Sequence, residues 1–159
     1  MHTALALSGA LLASPAQPAP RTPPDAATVI EKLPFRAGDS RARELDALRA
    51  RARNAPGDTA AAAALAQAYF DMAQARGDPR YVGYADAVVS QFDQNMSVDL
   101  LVLRGVLRQY RHAFDEALLD FAAVLAQDPE RADAHAWRGA IYLVEAQYDK
   151  ARQECAALL

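Results

Sequence analysis

A single cysteine, Cys155, stands in this chain of 159 residues, so no intrachain disulfide can form. Its hydrophobic content is 52% with only 7 glycines, which suits a helical core built without metal or disulfide. The net charge of −3 is too mild to announce nucleic acid or an anionic membrane as partner. No HxxxH or CxxC pair, glycine-rich phosphate loop or nucleophile-elbow serine occurs. No segment alternates apolar and polar residues for long, which argues against a sheet. The class is all-α.

An apolar run lies at the N-terminus. Residues 4–13, ALALSGALLA, have the length of a signal-peptide h-region and are too short to span a membrane. Ser14-Pro15-Ala16 places small residues where a signal peptidase inspects the chain, although no Lys or Arg precedes the run. A signal peptide over residues 1–16 and export to the periplasm or cell envelope are therefore expected. The alternative is a cytoplasmic protein with an alanine-rich tail. Four prolines in residues 17–25 mark an extended linker, and a short helix is expected from Ala27 to Lys32, before Pro34.

From Ser40 onward the period is helical. A helix over about 40–54 carries Leu45, Leu48 and Ala52 on one stripe. Six arginines in residues 36–53 read as its solvated face and not as a nucleic-acid or lipid patch. Asp58 or Thr59 caps a second helix to about Arg76, with Leu65, Tyr69 and Met72 buried. At Gly77-Asp78-Pro79, Gly closes one helix, Asp caps the next and Pro enters its first turn, with that third helix reaching about Phe92. Asn95 and Ser97 precede a helix over about 98–110. Its partner spans about 113–126, with Phe114, Ala117, Leu118, Phe121 and Leu125 on one face. Asp128-Pro129 repeats the cap-and-proline device before a last pair, 132–146 and 148–159.

One constant shift lays the C-terminal third on itself: Arg104-Gly105 on Arg138-Gly139, Phe114 on Tyr148, Asp115 on Asp149, Ala117 on Ala151. The shift equals the period, about 34 residues, of one helix-turn-helix unit that cannot bury its apolar face alone and must stack. The set Gly139, Tyr142, Tyr148, Ala151 resembles the tetratricopeptide repeat, and Gly105, Phe114, Ala117 match it with Arg108 departing. Ala66 with Tyr69, and Ala85, resemble the same pattern in a stretched first hairpin. The resemblance implies stacked hairpins over about 58–93, 98–127 and 131–159, an α-solenoid within a domain of 40–159.

The resemblance also implies a concave groove formed by the first helix of each hairpin. It places there Gln67, Phe70 and Asp71 from the first, and Asp99, Val102, Val106, Gln109 and Tyr110 from the second. The third supplies Asp133, Ala136, Leu143 and Val144. The basic clamp of family members that hold acidic chaperone tails is missing from this set. A partner peptide or domain of apolar or mildly basic character is expected, with no catalytic role, cofactor or metal. His112 and His135 read as surface histidines, and Cys155 as a small buried apolar residue at the position of Phe121. The last helix ends without Gly, Pro or a polar cap helix. That ending predicts an N-terminal fragment of a longer protein or end-to-end pairing of two copies. The alternative functions are an N-terminal self-association or assembly module of a larger envelope or secretion protein, and an adaptor of an enzyme whose catalytic part lies outside this sequence.

Overall fold

The computed structural model describes residues 22–25, 27–28, 38–94 and 96–159. The chain divides into two units, Met1–Pro34 and Phe35–Leu159. In the first, the Asp25 carboxylate accepts the Ala27 N–H at 2.8 Å and forms a tight bend. The expected signal peptide lies outside the described residues, as does the helix of 27–32 beyond Thr28.

In the second unit the described residues form seven α-helices and no strand. They are α1 (Ser40–Asn54), α2 (Thr59–Arg76), α3 (Arg80–Val89), α4 (Val98–Tyr110), α5 (Phe114–Gln127), α6 (Ala132–Val144) and α7 (Tyr148–Ala156). A short 3-10 turn, Ser90–Phe92, extends α3, so the regular helix stops three residues before the expected Phe92. The heaviest packing joins α2 to α3, α4 to α5 and α6 to α7, and these pairs are three antiparallel hairpins. α1 lies on α2, while α2–α4, α3–α4, α5–α6 and α4–α6 contacts link one hairpin to the next. Among the described residues no helix is long and apolar enough to cross a membrane.

Side chains start several helices. The Asp39 carboxylate accepts the Arg41 N–H, Asp58 accepts those of Ala60 and Ala61, and Ser97 Oγ accepts that of Leu100. Asp78 accepts the Arg80 N–H, yet Pro79 occupies the cap position, so α3 begins one residue later than its sequence implies. Asp128 does not repeat the device. It ends α5, and Arg131, whose side chain makes no cap bond, opens α6.

Each hairpin turn has three residues and one left-handed position: Gly77 (φ 63°), His112 (φ 61°) and Ala146 (φ 57°). In each, the next N–H reaches back five residues: Asp78 to Ala73 C=O at 3.2 Å, Ala113 to Arg108 at 2.9 Å, Gln147 to Tyr142 at 2.8 Å. At Tyr142 this bond satisfies a carbonyl that the helix end leaves open. α6 therefore stops at Val144, short of the expected Ala146. The first hairpin is stretched by its helix and not by its turn: α2 has 18 residues, against 13 in α4 and in α6. Counting back from the left-handed residues, Phe70 stands where α4 has Gly105 and α6 has Gly139. The match of Ala66 to those glycines is thus one helical turn out of step.

At the closest approach of α4 and α5, a Cβ on Gly105 would lie 2.7 Å from the Phe121 ring, so only glycine fits. Phe121 is fully buried with Leu100, Leu107, Ile141, Val89 and Val124. The equivalent place on α7 differs. Cys155 is exposed, because among the described residues no helix packs on the outer side of α7, and Glu154 Cβ faces Gly139 instead. Polar residues Asp149, Lys150, Arg152 and Gln153 make up most of that outer side.

Candidate functional site

The first helices α2, α4 and α6 touch in succession, and a groove of about 340 Å³ runs along them. Ala60, Ala63, Ala64 and Gln67 line it from α2, and Asp99, Val102 and Leu103 from α4. Arg131 and Asp133 close it at the start of α6. The three alanines fall at i, i+3 and i+4, so this face of α2 presents three methyl groups before Gln67 at i+7.

Four residues expected in the groove come together there: Gln67, Asp99, Val102 and Asp133. The others scatter. Phe70 and Val106 are core residues, 4% and 5% exposed, and Val102 is itself a floor residue at 8%. Phe70 meets the Tyr110 ring edge-on at 5.7 Å, a contact that fixes α4 against the C-terminal part of α2. Asp71 accepts a hydrogen bond from Gln67 at 2.7 Å and faces the crevice between α1 and α2. Gln109 is half-buried, Ala136 is exposed, and Leu143 and Val144 project into solvent near the end of α6.

The acidic edge carries a cation of its own. Arg131 Nη2 donates to Asp99 at 2.9 Å, and its Nε donates to Asp133 at 2.9 Å. Asp133 and then Asp99 hold the Arg131 guanidinium more firmly protonated than usual. Asp99 and Asp133 occupy the same place in successive hairpins, and one guanidinium spans them. Sequence reasoning missed Arg131. The signal is its position: it stands where Ser97 caps the previous hairpin, so a lost cap marked a residue with another task.

Charged groups also reach the interior of the hairpins. Asp120, 3% exposed, binds Arg104 through Nη2 at 2.8 Å and also meets Arg108. Arg108 departs from the aromatic of its sibling unit because it serves this carboxylate. In the next hairpin Arg138 Nη2 lies 2.9 Å from Glu154, which also meets His135 Nδ1 at 2.7 Å. His135 Nε2 lies 2.9 Å from the Pro129 carbonyl. Both of its partners are acceptors, so the doubly protonated ring satisfies both contacts. The Glu154 bond, then the Pro129 bond, raise its pKa above the ordinary value, against opposing burial and the Arg138 charge. With a side chain only 13% exposed, His135 is a tie between α6, α7 and the preceding loop, and not a surface histidine. His112 is exposed and meets the Phe114 ring edge-on at 5.4 Å. Among the described residues no group of three His, Cys, Asp or Glu is arranged to hold a metal ion. Comparison of the chain with protein-family models, curated proteins and solved structures returns no match.

Proposed function

We propose that this chain is an exported scaffold of the tetratricopeptide type that grips a partner segment along α2, α4 and α6. The observation that carries the reading is the groove, with its floor of Ala60, Ala63, Ala64, Val102 and Leu103 beside an Arg131-bridged pair of carboxylates. The self-match of the C-terminal third and the three hairpins with matching turns support the repeat reading. Small side chains admit a second backbone closely, and the exposed polar rim sets its register. The occupant is an extended or helical segment, apolar with mildly basic character, because Asp99 and Asp133 together outweigh Arg131 by one negative charge. The N-terminal apolar run and its small-residue cleavage site support the cell envelope as the place of binding.

The test is capture from envelope extract with the wild type and with an Ala60→Trp/Gln67→Trp variant, which fills the groove from two exposed positions. Partners recovered by the wild type and lost by the variant support the reading. Equal recovery sinks it.

A second reading, self-association as an assembly module, is favoured by one observation. Leu143, Val144 and Tyr148 are 55%, 67% and 60% exposed around the α6–α7 turn. A concentration-independent monomer on size-exclusion chromatography removes it.

A further inference from the structure

α1 and α3 both rest on α2, and a cleft of about 450 Å³ opens between them. That volume lies in the range of about 300–1,000 Å³ in which small-molecule sites fall. The floor is apolar: Leu65 and Tyr69 from α2, Val88 from α3 and Phe92 from the turn after it. The rim is cationic, with Arg49 and Arg53 from the end of α1.

Arg49 departs from the solvated cluster that the sequence pattern implies, while Arg53 is exposed as that pattern implies. Arg49 Nε donates to Tyr69 Oη at 2.9 Å, and its guanidinium stands over the Tyr69 ring at 5.4 Å. Nη1 meets the well-exposed Asp46 at 3.1 Å, which leaves Nη2 for another acceptor. Arg53 makes no ion pair among the described residues. Among the described residues the only acid in the lining, Asp58, already receives the Ala60 and Ala61 N–H groups and faces Arg51 at 3.6 Å. Positive charge at the mouth is therefore unbalanced, while the interior offers hydrocarbon contact. A wholly apolar ligand leaves the arginines unused, and a small anion leaves the floor bare.

We propose that this cleft binds an aliphatic carboxylate, a medium-chain fatty acid, with its chain against Leu65, Val88 and Phe92 and its carboxylate at Arg49 and Arg53. The site lies apart from the groove of α2, α4 and α6, so it stands or falls independently of that assignment.

Calorimetric titration with sodium decanoate, below its micelle threshold, tests it against 1-decanol of the same chain length. Decanoate is expected to bind saturably and about tenfold more tightly than decanol, the worth of one charge-assisted hydrogen bond. An Arg49→Gln/Arg53→Gln variant should bring decanoate down to the decanol level and leave decanol unchanged. Gln91→Trp, at an exposed rim position, should weaken both ligands. Far-UV circular dichroism confirms that each variant is folded. Equal affinity for the two ligands, undiminished binding by the double variant, or no saturable binding of decanoate overturns the proposal. Tighter binding of an acetylated Leu-Leu peptide with a free carboxyl end overturns the fatty acid as the source of the carboxylate.

Discussion

Asp120 on α5 and Arg104 on α4 form an ion pair inside the second hairpin, and the pair returns one repeat later as Glu154 and Arg138. The two versions are not equivalent. Arg104 approaches Asp120 through both Nε and Nη2, whereas Arg138 reaches Glu154 through Nη2 and its buried Nε finds no acceptor. A buried carboxylate with several donors is costly to lose on one side only. Asp120→Ala should destabilise the protein by about 3 kcal/mol, because it strands Arg104 and Arg108, whereas an Arg104→Met/Asp120→Leu variant should recover much of that loss. Urea denaturation of both variants measures this, and a loss below ~1 kcal/mol for Asp120→Ala contradicts it.

The glycines at the hairpin contacts make opposite demands. Gly105→Ala drives a methyl into the Phe121 ring and should cost about 1–3 kcal/mol. At Gly139 the new methyl meets Glu154 Cβ at 3.5 Å, an ordinary contact. Gly139→Ala should be neutral or stabilise by up to ~1 kcal/mol through helix propensity. Equal melting-temperature shifts for the two variants would refute the close contact at Gly105.

Ala146 carries a Cβ in a left-handed turn where Gly77 carries none. Ala146→Gly should therefore stabilise the chain by about 1 kcal/mol, and Gly77→Ala should destabilise it by a similar amount. A fall in the urea midpoint of Ala146→Gly rules out strain at this turn.

His135 has its folded-state pKa raised from the ordinary 6.5, chiefly by its bond to Glu154. The sign follows from linkage: its contribution is complete below the unfolded value and fades as pH rises through the folded one. Stability should thus decline as the pH rises above 6.5 through the folded value, and His135→Gln should flatten that slope. An NMR titration of the His135 ring with a midpoint at or below 6.5 contradicts the assignment.

The helices were legible because 3.6-residue periodicity and local caps act within one segment. The stripe of Leu45, Leu48 and Ala52, the cap at Asp58 and the span from Val98 to Tyr110 follow from neighbours a few residues away. Relations between hairpins were less accessible. Phe70 and Val106 have the spacing of a groove face, but the longer α2 and the α2–α4 contact turn them into the core. Arg131 enters the groove through Asp99, 32 residues away, and no local pattern encodes that distance. His135 lacks the features of a metal site, yet Glu154, 19 residues on, gives it a fixed partner. Cys155 copies the place of Phe121 but not the helix that covers it.

Each helix packs mainly on the helices next to it in the chain, and the three-residue turns leave little loop to close. Contacts so short-ranged cost little chain entropy before they form, which favours rapid folding. They also decouple the ends from the middle. Among the helices in close contact, α1 is held by α2 alone and α7 by α6 alone, so the amides of these two helices should exchange with solvent earliest, while those of α4 persist until the whole second unit opens.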